Sequence, residues 1–129
     1  EDLKWSGAYQ LEPYQTFDSA LRLRREMFIG GMQCLSFQGT KTLPIGRGGM
    51  VLLDDAEDAR WLLKARSNGR NFSVPFIHDR ITELGWNYHM TPEQGERGLE
   101  LMKSLKDDAE DIHKEYPDLR TMPVFKDAA

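Results

Sequence analysis

The chain has 129 residues, 40% hydrophobic and 29% charged, which suits a single domain, or part of one, with enough apolar side chains for a core. A net charge of −4 argues against broad attraction to phosphate backbones or anionic lipid, and nucleic acid is excluded as a first guess. The longest apolar run, Met50-Val51-Leu52-Leu53, falls far short of the roughly 20 residues that span a bilayer.

Residues 1–16 show no steady period and read as loop. From Thr16 to Met27 the apolar Phe17, Ala20, Leu21, Leu23 and Met27 recur near helical spacing, which predicts a short amphipathic helix stopped by Gly30-Gly31. Arg22, Arg24 and Arg25 would form its solvated face. Met32 to Phe37 alternates in part and predicts a buried strand, with Cys34 inert inside it. Leu43-Pro44-Ile45-Gly46-Arg47-Gly48-Gly49 reads as a glycine-rich turn leading to a second strand, Met50 to Leu53.

Asp54 or Asp55 can cap a helix whose apolar face holds Ala56, Ala59, Leu62 and Leu63, with Gly69 as its stop. Arg70 to Met90 is irregular and predicts a long ordered loop. Thr91-Pro92-Glu93-Gln94 then combines an N-cap, a proline at the first helical position and a Gln at N3. The stripe Leu99, Met102, Leu105, Ala109 and Ile112 extends this helix toward Tyr116-Pro117, through Gly95 and Gly98, with Trp61 and Met102 in a core or interface. The alternation of strands and helices gives an α/β class.

Lys41 follows the first predicted strand and precedes the glycine-rich turn. A lysine partly desolvated there has a lowered pKa and can add to a carbonyl, although composition alone favours a solvated surface lysine. Gly46 to Gly49 lacks the Walker A or dinucleotide-binding pattern and reads as a simple turn. His78 and His89 have no acidic or thiol partners at metal-ligand spacing, so no metal is expected.

Ser36-Phe37-Gln38-Gly39-Thr40-Lys41, continuing through Gly48-Gly49-Met50-Val51, resembles the Schiff-base lysine motif of the DegT/DnrJ/EryC1/StrS aminotransferases. Two more segments match in order: Leu62 to Gly69, similar to the family's Leu-rich helix with its basic Asn-Gly end, and Gly85-Trp86-Asn87-Tyr88-His89-Met90-Thr91. The resemblance is good over residues 31 to 105. It implies a fold-type I, aspartate-aminotransferase-like large domain that binds pyridoxal 5'-phosphate. The substrates it implies are a nucleotide-linked keto sugar and an amino-acid donor such as glutamate, handled in a homodimer with a shared active site.

Carried over by residue, Lys41 would be the catalytic lysine that forms the internal aldimine, and Ser36 would hydrogen-bond the cofactor phosphate. Asn87 would reach the phosphate of the cofactor in the other subunit. Asp2, in Glu1-Asp2, would sit beside the pyridine nitrogen, although by itself it is equally a terminal surface carboxylate. Two positions depart from the pattern: Arg47 stands where an acidic residue is usual, and His89 stands where Arg is usual. Both bear on substrate contacts, Arg47 supplying positive charge and His89 an anchor when protonated.

The family's N-terminal portion and most of its small C-terminal domain have no counterpart in residues 1–129. The chain is therefore expected to be a central piece of a large domain, inactive by itself, from a cytoplasmic enzyme. Two alternatives stand beside this reading. One is a non-catalytic α/β interaction or regulatory module built on the same scaffold. The other is a family dehydratase, which would carry His in place of Lys41.

Overall fold

In the computed structural model, residues 4, 5 and 7–126 are described. Among these described residues six strands run in chain order: β1 Lys4–Trp5, β2 Tyr9–Gln10, β3 Thr16–Asp18, β4 Met32–Ser36, β5 Gly49–Leu52 and β6 Lys114–Glu115. Helix α1 is Ala56–Ala65, α2 is Pro92–Met102 and α3 is Pro123–Lys126, with 3-10 turns at Phe76–His78 and Leu119–Thr121. The strands form a mixed sheet in the order β2-β3-β4-β5 and a separate β1-β6 pair. In the mixed sheet β3 and β4 run parallel, while the other neighbours are antiparallel.

The predicted helix from Thr16 to Met27 does not form. Its first residues are the strand β3, in register with β4 as Thr16 with Met32, Phe17 with Gln33 and Asp18 with Cys34. Residues 19–27 run irregularly because tertiary partners claim their backbone. The Ser19 N–H donates to the Cys34 carbonyl, Arg25 N–H to Asp107, and Leu21 accepts from Ile112 N–H. Leu21 and Met27 are buried all the same, so the apolar pattern marked core positions correctly and the period wrongly. The first 16 residues, expected as loop, contribute β1 and β2.

Strand β4 matches its expectation, with Gln33 and Leu35 buried and their neighbours half-buried. Gln33 is completely buried and fully engaged, donating to Ser19 Oγ at 2.8 Å and to the Met27 carbonyl at 3.1 Å while accepting from Ile29 N–H at 3.1 Å. Those bonds remove the cost of burying an amide. Cys34 lies on the opposite face and is only half-buried; burial pushes its thiol up, away from reactivity. Strand β5 is mostly exposed and pairs with β4 from Gln33 with Leu52 to Ser36 with Gly49.

The core gathers Met27, Leu35, Phe37, Leu43 and Ile45, with Leu23, Leu52, Met90 and Leu101 packed against it. Leu43 and Ile45 come from the segment read as a simple turn, so the loop after Lys41 is anchored by its own apolar residues.

Both expected helix starts are present. Asp55 accepts from the N–H groups of Glu57 and Asp58, and Thr91 and Gln94 form a reciprocal capping box. The apolar face of α1 is shallower than predicted. Ala65 is its one buried residue, Ala59 and Leu62 are half-buried, and Ala56, Leu63 and Trp61 are exposed. Helix α2 runs through Gly95 and Gly98 but stops at Met102, short of Tyr116. Past that point Ser104 Oγ donates to the Leu101 carbonyl, and the bonds from Asp107 and Ile112 to residues 25 and 21 pull the chain out of helical register. Leu99 and Met102 are exposed and so not core, while Leu105, Ala109 and Ile112 are half-buried beyond the helix end, where Ile112 N–H donates to Leu21. Contact with the core comes from Leu101 and from the buried Gly98, which faces Ile45 with room for a methyl group.

Candidate functional site

The loop after β4 turns sharply: Lys41 N–H donates to the Gln38 carbonyl, and Gln38 bridges to Gly46. This places Lys41 on the wall of an open cavity of about 640 Å³. The size lies within the roughly 300–1,000 Å³ common for small-molecule sites. The other walls are Tyr9 of β2, Asp18 of β3, the Ala20-Leu21 turn, and Tyr116 to Leu119 beyond β6. Three stretches distant in sequence thus enclose one lysine.

Asp18 is held rigidly. It accepts from the Tyr9 hydroxyl at 2.8 Å and from Ala20 N–H at 2.8 Å. Burial and the bond to Asp18 push the Tyr9 phenol up to about 12, so Tyr9 stays protonated and donating at neutral pH. The Lys41 ammonium is shifted below the usual lysine range, first by burial and then by the Lys114 ammonium, against an opposing pull from Asp18. A lowered pKa leaves more neutral amine, the form that attacks a carbonyl.

Ser36 ends β4. Since Tyr9 pairs with Asp18, Asp18 with Cys34, and Ser36 lies two residues beyond Cys34, all four occupy one face of the sheet. Ser36 Oγ accepts a long 3.4 Å bond from Gln38 N–H and keeps its hydroxyl proton to donate. It does not line the cavity.

The other residues named from sequence are not gathered around Lys41. Asn87 is exposed and bridges to Ser67 just past α1. His89 is exposed with its ring 5.7 Å from that of Phe72, and Arg47 is exposed in the glycine-rich loop. Asp2 lies outside the described residues. Two of the sequence motifs do meet: Met90 packs on the core beside Ile45, and its Cε would be 3.1 Å from a Cβ at Gly48, whose φ is +99°. The residues that sequence did not single out are Asp18, Tyr9, Lys114 and Tyr116. Only for Asp18 was there a local sign, in the β-favouring Thr16-Phe17 before it.

A lysine amine and a tethered carboxylate sharing a cavity with aromatic and aliphatic walls fit the demands of pyridoxal phosphate, whose aldehyde needs an amine and whose ring nitrogen favours an anion. Lys41 and Asp18 would hold those two ends. Among the described residues, no group of three or more His, Cys, Asp or Glu side chains is placed to hold a metal, and no helix is long and apolar enough to cross a membrane.

No curated protein and no solved structure matches the chain significantly. The model of the DegT/DnrJ/EryC1/StrS aminotransferase family matches residues 18–121, a span that begins at Asp18 and contains Ser36, Lys41, Arg47, Asn87 and His89 but not Asp2. With most of its length so matched, the chain belongs to the DegT/DnrJ/EryC1/StrS aminotransferase family.

Proposed function

We propose that the chain is part of the large, fold-type I domain of a pyridoxal-phosphate-dependent aminotransferase that works on a nucleotide-linked keto sugar with an amino acid such as glutamate as donor. The carrying observation is Lys41 on the cavity wall with Asp18, within the family-matched span. Bound there, the cofactor would supply a carbonyl for the lysine and a ring able to take up electrons.

Each residue has a definite task in this reading. The Lys41 amine binds the cofactor carbonyl and afterwards, once freed, carries a proton at Nζ. Asp18, fixed by Tyr9 and Ala20, offers its carboxylate to a protonated ring nitrogen, a task the sequence motif assigned to Asp2. Ser36 lies on the same sheet face but outside the cavity wall, and the resemblance alone gives its hydroxyl to the cofactor phosphate. Asn87, His89 and Arg47 are exposed and so free for roles across a homodimer interface: Asn87 toward the partner's cofactor, and the two basic side chains toward substrate phosphate.

The test is to mix the protein with pyridoxal phosphate, reduce with borohydride and map the modified peptide. Labelling at Lys41, lost in Lys41→Ala, is expected. Equal labelling of the variant would overturn the assignment, and absence of any label would favour the non-catalytic module. Residues 1–129 alone are expected to show little turnover.

A further inference from the structure

A second lysine, from the opposite end of the chain, reaches the loop that carries the cavity lysine. Lys114 sits on β6, whose pairing with β1 brings it back across the fold, and its Nζ donates to Thr40 Oγ1 at 3.2 Å. Thr40 immediately precedes Lys41. Two residues beyond Lys114, Tyr116 forms part of the cavity wall. Thus the same segment that closes the cavity delivers an ammonium to its lysine loop. Lys114 is half-buried and has no carboxylate partner among the described ion pairs. Its charge is therefore not cancelled locally.

We propose that Lys114 is a positioning residue for Lys41: held by Thr40, its ammonium stands as a second positive charge near the Lys41 amine and keeps a share of that amine neutral and nucleophilic. Like charges disfavour each other's protonated form, and a partly desolvated site screens them less than open water does. The downward shift of Lys41 with Lys114 as its second cause agrees with the geometry. Among the other groups facing Lys41, Asp18 opposes the effect, the Tyr9 phenol is held protonated by burial and its bond to Asp18, Tyr116 presents its ring to the cavity, and Asp118 is engaged by Arg120. Lys114 is therefore the group that tips the balance toward the neutral amine, beyond what burial does.

The inference rests on Lys41 being the amine that meets a carbonyl, but its test does not need the cofactor. Lys41 would be acylated with trace acetic anhydride across neutral to alkaline pH, and its labelling followed by mass spectrometry against a free-amine standard. In Lys114→Met the midpoint should move to higher pH and labelling at neutral pH should slow several-fold, because a midpoint one pH unit higher leaves about tenfold less neutral amine. Lys114→Arg should behave as wild type. Thr40→Val, which removes the tether and keeps the side-chain shape, should move the midpoint in the same direction by less, and it decides the matter if Lys114→Met fails to fold. Superimposable profiles for wild type and Thr40→Val, or a downward move in Lys114→Met, would overturn the proposal. Borohydride trapping is scored separately: if no imine forms while the acylation profile still moves, the cofactor reading fails and the coupling of Lys114 to Lys41 stands.

Discussion

Gly85 opens the motif Gly85-Trp86-Asn87, and its backbone lies directly against the turn that ends α1. A Cβ at this position would sit 1.9 Å from the Gly69 nitrogen, 2.6 Å from the Asn68 carbonyl carbon and 2.9 Å from the Ala65 oxygen. All three are backbone atoms, so no rotamer change relieves the clash and Gly85→Ala must force the two segments apart. Three bonds cross this seam: Trp86 N–H to the Ala65 carbonyl at 2.6 Å, Asn68 N–H to Trp86 at 2.9 Å, and Tyr88 N–H to Arg66 at 2.9 Å. Overpacking costs about 1–3 kcal/mol and each lost bond about 1, so the expected loss is on the order of 4 kcal/mol. For a domain of this size that lowers the Tm by about 15 °C. Thermal unfolding followed by circular dichroism measures the change, and hydrogen exchange at the amides of Asn68, Trp86 and Tyr88 shows whether the seam has opened. A Tm within about 3 °C of wild type with unchanged protection would refute the reasoning.

Two other substitutions test the same physics from different sides. Gly98→Ala should stabilise by about 0.5–1 kcal/mol, because the helix interior favours alanine and the new methyl would meet only Ile45 Cγ2 at an ordinary 3.6 Å; a loss of stability in urea unfolding would contradict this. Asp111 accepts from Arg22 Nε at 2.8 Å and Nη2 at 2.6 Å, and that bond holds its carboxyl below the usual carboxylate range. Its folded pKa being depressed, the stabilisation is complete above the ordinary value of about 3.9 and fades as pH falls through the folded value. Asp111→Asn should therefore be destabilised at neutral pH by about 1–3 kcal/mol, and the gap to wild type should close in acid. A pH-independent gap would place the effect in packing.

What the sequence made legible was local chemistry. Asp55 and Thr91 start their helices because their side chains satisfy backbone donors within one turn, and β4 shows through its alternation. The Lys41 loop was visible as a motif. Thr16 to Met27 went wrong because a helical spacing of apolar residues served equally well for a strand followed by a folded-back turn, and the deciding bonds come from Cys34, Asp107 and Ile112. Helix α2 was overextended for the same reason. The carboxylate at Asp18 and the cation at Lys114 stayed hidden at the site because distant strand pairing carries Asp18 there and a side-chain bond to Thr40 brings Lys114, and neither leaves a periodic trace at short range.

The bidentate tie between Arg22 and Asp111 spans 89 residues of sequence, and the cavity walls bridge a similar gap between Tyr9 and Leu119. Closing loops of this length costs only modestly more than closing short ones, about 0.6 kcal/mol per doubling, but the contacts need both ends of the chain in place. The segment beyond α2 thus supplies both the Tyr116–Leu119 wall and the Lys114 ammonium, two of the surroundings that set Lys41 apart from a solvated lysine. If Lys114 tunes Lys41 as proposed, a reagent selective for neutral amines would report whether that segment is docked.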